Sequence, residues 1–473
     1  MPRPQKIAYL TAGAAGMICG SCLHDNTLAR SLIELGHDVQ LVPLYTPIRT
    51  DEQDVTVHEI FYGGINMYLQ QKVPLFRWLP KWLDHWLDQP WLINWAAGRS
   101  VKIDPKQVAD ITLSILRGRE GFQRKEVERL VDWLTADGPP DVIVFSNILT
   151  AGCVPEIKRR IDVPVVVTLQ GDDIFLRGLP EPHHTQALAE IRRLAEQIDG
   201  YIAHTHFYAG AMAEYLGLAR ERIQIAPLGI DVRDFEEGFR VQGSGDRRQE
   251  TGDREQEPDS NPKSKIQNPK FARPPTVGYL ARLAPEKGLH ILAEAFLRLR
   301  QMPEMEQAKL RIAGWMGKAN KAYADEVFAK LREAGLGEAF EYVGEVDRRG
   351  KLDFLASIDV LAVPTTYRDP KGLFVLEALA AGVPVVQPEH GSFPEMLGEL
   401  AGGLLHRPED PQHLAERLHL LLTDEVQWIR LASSGRQNVH TYRNAQVMAQ
   451  RTIEALEQIM NTATLSREQT CSR

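Results

Sequence analysis

The sequence predicts an α/β protein built as two doubly wound, Rossmann-like domains, and three observations carry that expectation. From residue 6 to about 230, short β-rich apolar runs alternate with amphipathic helical stretches, the pattern of a parallel sheet wrapped by helices. The same alternation restarts after residue 275. Between the two lies a stretch dominated by charged, Gln, Gly, Pro and Ser residues, which cannot bury enough apolar surface to offset its conformational entropy. A chain of 473 residues has room for two such domains and their cores.

In chain order, the strands of the first domain are KIAYLT, DVQLVPLY, DVIVFSN, VPVVVTLQG, GYIAHTH and IQIAPLG, within residues 1–230. The first ends on a run of small residues, GAAGMICGSCLHDN, before the helical LARSLIELG. Residues 76–95, FRWLPKWLDHWLDQPWLINW, hold five of the eight tryptophans, with Trp78, Trp82 and Trp86 at helical spacing. That stripe reads as a packed face, as the wall of an acceptor pocket, or as a peripheral membrane contact. Residues 236–275 are the expected disordered insertion, in which GDRRQE echoes GDREQE. The second domain, 276–440, supplies TVGYLAR, LRIAGW, FEYVGEV, VLAVPTT, PVVQPE and GGLLHR as strands. A final helix over 441–460 is expected to pack back across both domains, followed by a flexible tail over 461–473.

Composition excludes several classes. A formal charge of -8 without a compact basic cluster gives no footprint for nucleic acid. The amino terminus lacks the long apolar core of a signal peptide, and no run of about 18 apolar residues occurs. Four cysteines in so long a chain do not make a disulfide framework. The expected location is cytoplasmic, with residues 76–95 as the candidate contact with the inner face of a membrane.

The second half carries the clearest chemistry. In YLARLAPEKGLHIL, Arg282 and Lys287 stand at the carboxyl end of a strand and before a helix start, where open α/β sheets bind anions. In RDPKGLFVLEALAAGVPVV a Pro/Gly loop ends at Gly372, and LFVLEALAA forms a helix closed by Gly382 and Pro384. Backbone N–H groups of Leu373 and Phe374 then point out of a helix start toward a phosphate. Glu377 lies one turn further in, within reach of ribose hydroxyls, and Asp369 in the loop could accept from a sugar. Among Phe374, Val375, Leu376, Ala378 and Leu379, an ionised Glu377 is mostly buried and needs a partner.

ARLAPEKG, DPKGLFVLEALAAGVPVV, GSFPEM and the earlier PLGID resemble the retaining GT-B glycosyltransferases of the large family 4. The resemblance covers nearly the whole chain outside the insertion. It implies two Rossmann-like domains facing each other across a cleft, a nucleotide-diphosphate sugar as donor, and no metal or other cofactor; the acceptor is expected to be a sugar or, if residues 76–95 are exposed, a lipid-linked one. On that pattern Arg282 and Lys287 hold the diphosphate, Glu377 the ribose, Asp369 and the backbone around Gly372 the transferred hexose, and Gly344 to Val346 the base. Asp369 stands where the family usually has glutamate. Gln170 of VVVTLQGDDIF stands where the family often has histidine, and Gln170 and Asp173 are read as acceptor contacts. A front-face retaining transfer needs no enzyme base, because the departing phosphate oxygen can take the acceptor's proton.

The resemblance also places Gly13 and Gly16 in the glycine-rich loop of the first domain, where a missing side chain lets backbone approach the diphosphate or the acceptor. The spacing is not that of a dinucleotide fingerprint, and VQLVPLY lacks the carboxylate that would bind an adenosine ribose. Cys19 and Cys22 have the spacing of a redox pair, of half a metal site, or of small residues in a loop. Asp25 and Asn26 read equally as acceptor contacts or as polar groups of the helix start. The rival to an enzyme is an inactive GT-B-fold protein that binds a nucleotide sugar or is gated by that cysteine pair.

Overall fold

The computed structural model describes residues 3–13, 20–57, 61, 105–235 and 273–471. Gly16, Cys19, the tryptophan-rich residues 76–95 and residues 236–272 of the insertion lie outside them. The chain divides into two compact units, Met1–Asp231 with Arg368–Leu373 and Thr441–Arg473, and Val232–Tyr367 with Phe374–His440.

Each unit is built on one six-stranded sheet in which every pair is parallel. The first sheet comprises β1 (Lys6–Thr11), β2 (Asp38–Pro43), β3 (Val142–Phe145), β4 (Val165–Thr168), β5 (Gly200–Ala203) and β6 (Ile223–Ile225), in the order β2-β1-β3-β4-β5-β6. The second comprises β7 (Thr276–Leu280), β8 (Lys309–Ala313), β9 (Phe340–Gly344), β10 (Val360–Ala362), β11 (Val385–Pro388) and β12 (Gly403–His406), in the order β12-β11-β10-β7-β8-β9. Each of the twelve segments read as a strand from the sequence overlaps one. The central ones are apolar or nearly apolar runs such as VIVF and VVVT, buried along their whole length, because helices cover both faces of a parallel sheet.

The helices that carry or flank the candidate site residues are α1 (Gly20–Glu34), α2 (Asp172–Arg177), α3 (His206–Leu216), α4 (Leu289–Leu299), α5 (Arg348–Ala356), α6 (Leu373–Ala380) and α7 (Ala445–Cys471). The terminal helix is longer than the sequence suggests, since α7 takes in residues 461–471, which read as a flexible tail. It belongs to the first unit. There the Ile230 N–H donates to the Arg443 carbonyl at 3.0 Å, and a Cβ on Gly200 of β5 would stand 2.7 Å from Ile459, so glycine is what lets α7 lie against the sheet. Among the described residues, no helix is long and apolar enough to cross a membrane.

Candidate functional site

In the second unit the residues singled out by sequence gather at the carboxyl ends of β7 and β10, where an open parallel sheet places its ligands. The chain leaving β7 stays tied down: Leu283 N–H donates to the Trp315 carbonyl at 3.0 Å, and the buried Tyr279 hydroxyl lies 3.2 Å from the Arg282 carbonyl. The loop after β10 locks onto it through Thr366 N–H and the Glu286 carbonyl at 3.0 Å. Lys287 donates to the Tyr367 hydroxyl, and its ammonium stands 4.8 Å from the Tyr367 ring centre and 5.6 Å from that of Phe374, in the first turn of α6. A cation thus sits at the positive end of a helix whose first turn contains no acidic residue. Arg282 is paired with Glu286, one turn along, and 44% of its side chain is exposed. So exposed a pair holds the guanidinium weakly and leaves it available to a stronger anion.

Glu377, on α6, is 6% exposed and has the partner its burial requires. Lys351 of α5, 8% exposed, donates to its Oε1 at 2.7 Å. Gly344 closes β9, its carbonyl accepting from Gly314 N–H at 2.8 Å, and a Cβ there would meet nothing within 4 Å. Val346, two residues on, is half-buried.

Asp369 and Gly372 fall in the first unit with the segment Arg368–Leu373. The Asp369 carboxylate is 4% exposed, and its Oδ1 accepts from the N–H groups of Lys371 and Gly372, both at 3.0 Å. This side chain therefore shapes the turn that leads into α6, a task that needs the short reach of aspartate.

The first unit carries a polar cluster at the carboxyl ends of β1, β3, β4 and β5. Asp25, wholly buried on α1, accepts from Thr11 Oγ1 at 2.7 Å, Gln170 Nε2 at 2.9 Å, Tyr9 Oη at 3.0 Å and His24 Nδ1 at 3.1 Å. Gln170 uses its second amide hydrogen on the Ser146 carbonyl at 2.9 Å, while its Oε1 accepts from Lys371 Nζ at 3.1 Å. The same ammonium donates to Ser21 Oγ at 2.5 Å. Asp172 receives Gln170 N–H at 2.9 Å and Ile148 N–H at 3.1 Å. Burial pushes its carboxyl up to about 6, against these hydrogen bonds. Asp173 accepts from the Tyr208 hydroxyl of α3 at 2.8 Å, which in turn accepts from Gly171 N–H at 2.7 Å.

Three of the candidate residues are engaged by their own chain. Asn26 turns inward, its Nδ2 donating to the Gln53 carbonyl at 2.8 Å and its Oδ1 accepting from Val55 N–H at 3.0 Å, so it clamps a loop. Asp25 likewise has both oxygens engaged by its own chain. Gly13 has φ +85°, and a Cβ there would lie 2.0 Å from the Thr46 carbonyl oxygen; the close approach it permits is to the protein itself. Cys22 is buried, and its candidate companion Cys19 lies outside the described residues. Lys351, Lys371 and His204 lie against these candidate residues or their partners and are not singled out by the sequence. Only Lys371 carries a visible signal, a cation inside the DPKG turn.

Two family models match: residues 260–438 fit "Glycosyl transferases group 1", and residues 26–229 fit "Glycosyl transferase 4-like domain". Together they span most of the chain. The chain belongs to the group 1 glycosyltransferases. Among relatives of this family member, a phosphatidyl-myo-inositol mannosyltransferase from Mycobacterium leprae is 30% identical over 35% of this chain and 42% of its own. A sucrose-phosphate synthase from Spinacia oleracea is 27% identical over 36% of this chain, and the match spans only 17% of that protein's length. Solved structures extend the likeness of fold. A sucrose-phosphate synthase from Thermosynechococcus elongatus superposes with a TM-score of 0.65 at 17% identity, covering 96% of this chain and 99% of that one. The Anabaena protein HepE in complex with UDP-glucose gives 0.61 at 18% identity, covering 96% of this chain and 100% of that one. The group 1 family member therefore has the two-domain α/β GT-B fold.

Proposed function

We propose that the protein transfers a hexose from a nucleotide-diphosphate sugar to an acceptor hydroxyl, with retention of configuration and without a metal. The observation that carries this reading is the Lys287 ammonium held over Phe374 in the first turn of α6. A diphosphate there meets a helix start and a cation together, and Arg282 can leave Glu286 to join it. The same groups stabilise the charge that develops on the departing phosphate as the glycosidic bond breaks. Its oxygen takes the proton of the incoming hydroxyl, so the side chains move no proton themselves. Glu377, kept in place by Lys351, serves the ribose, and Gly344 and Val346 leave room for the base. Asp369 and the backbone at Gly372 serve the hexose, while the cluster around Gln170 and Asp173 serves the acceptor.

HepE was solved with UDP-glucose, which makes that compound the first donor to try. Thermal stabilisation by UDP-, GDP- and ADP-sugars should single out one donor. Lys287→Ala should weaken that donor's binding about tenfold or more, and turnover should survive EDTA with the anomeric configuration kept, as read by NMR of the product. A donor that binds tightly and never turns over with any acceptor or with water identifies a binding protein instead.

A further inference from the structure

One side chain in the polar cluster of the first unit is left unanswered by its own chain. His204 directly follows β5 and is 3% exposed. Its Nδ1 lies 2.9 Å from the Ala226 carbonyl, which can only accept, so Nδ1 carries the proton and Nε2 the lone pair. Nε2 has no hydrogen-bond partner among the described residues. A buried acceptor with nothing to accept is rare in a folded chain.

Sheet register makes His204 part of the cluster. Thr168 of β4 pairs with Ile202 of β5, so two residues further on Gln170 and His204 leave neighbouring strand ends side by side. The His24 ring meets the His204 ring edge-on, with centroids 4.6 Å apart, and His24 bonds to the Asp25 that holds Gln170. Gln170 has already committed both amide hydrogens. Burial, then His24, Lys371 and Arg443, disfavour a second proton on His204, whereas the Ala226 carbonyl favours it. The ring is therefore neutral near pH 7 and offers a lone pair.

We propose that His204 Nε2 binds the hydroxyl of the acceptor, fixing the oxygen that attacks the donor sugar. This rests on the glycosyl-transfer reading and deepens it. A lone pair repels phosphate and carboxylate oxygens, the neighbouring Lys371 and Arg443 disfavour an ammonium, and a thiol is a weak donor. Of the neutral donors left, N–H and O–H, only a hydroxyl is also the attacking group of the transfer proposed above. In the reaction the bond from the anomeric carbon to the diphosphate breaks, the bond to the acceptor oxygen forms, and the hydroxyl proton leaves with the phosphate. His204 orients and keeps its own proton on Nδ1.

Water is itself a hydroxyl acceptor, so nucleotide release from the best-stabilising sugar nucleotide tests the proposal before any acceptor is known. His204→Phe, which fills the ring volume without a lone pair, should slow release at least about tenfold while donor-induced thermal stabilisation is kept. His204→Gln can place an amide oxygen near the Nε2 position and should restore much of the rate; His204→Asn reproduces only the Nδ1 end and should not. Wild-type release from His204→Phe overturns the proposal, as do Gln and Asn variants that behave alike, which decides the matter even where the Phe variant fails to fold. Absence of both stabilisation and release in the wild type with every sugar nucleotide overturns the transfer reading itself.

Discussion

The carboxyl ends of the two sheets are furnished in opposite ways. In the first unit Asp25, Gln170, Asp172 and Asn26 are buried and hold one another or the backbone. In the second, Arg282 is exposed beside Glu286, and Lys287 is half-buried beside Tyr367. A closed network keeps its shape before anything binds, whereas exposed cations can be recruited by an arriving anion at little cost in broken pairs. The contrast suits a rigid seat for a neutral hydroxyl and an electrostatic grip on a diphosphate.

The buried exception in the second unit offers the strongest way to break that contrast. Lys351→Met leaves the Glu377 carboxylate buried and unpaired, and should cost ~3–5 kcal/mol in denaturant unfolding. Adding Glu377→Leu should recover most of that loss, because two apolar groups of similar volume need no pairing. A double variant as unstable as the single would show that the pair is not what holds α5 to α6.

A titration sharpens the picture of the first unit. Asp172 has its carboxyl raised from the usual 3.8 to about 6 by burial. The folded state therefore binds this proton more readily than the unfolded chain. Its stabilising contribution is full below about pH 4 and is lost as pH rises through about 6. Between those limits the wild type should lose ~3 kcal/mol relative to Asp172→Asn, which does not titrate. Parallel pH profiles of the two proteins would place the ionisation elsewhere in the cluster.

The smallest effect belongs to Asn26. Asn26→Ala removes two hydrogen bonds to the backbone at Gln53 and Val55, and should cost ~1–2 kcal/mol in stability with donor-induced stabilisation intact. A loss confined to turnover, with stability unchanged, would return Asn26 to the acceptor site.

Much of the architecture is legible in the chain itself, for identifiable reasons. VVVT and VIVF announce buried parallel strands because their β-branched side chains suit a sheet covered on both faces. Arg282, Lys287 and Gly372 lie in loops directly joining a strand to a helix, so position in the chain nearly equals position in space. Glu377 declares a need for a partner through its apolar neighbours, yet nothing local names Lys351, which is 26 residues away. Asn26 stays open in the sequence for a related reason: a polar residue near a helix start looks the same whether its partners are a ligand or a loop 27 residues on.

The amino-acid sequence by itself determined the two α/β halves, the placing of cations before helix starts and the family, since all of these follow from periodicity and from loops a few residues long. Tertiary structure alone decided which polar groups are satisfied. Tyr9, Asp25, Gln170 and His204 come together because β1, β4 and β5 deliver their ends to one edge of a sheet, Lys371 joins them from the loop after β10, and hydrogen bonds depend on distances in space that spacing along a chain does not encode.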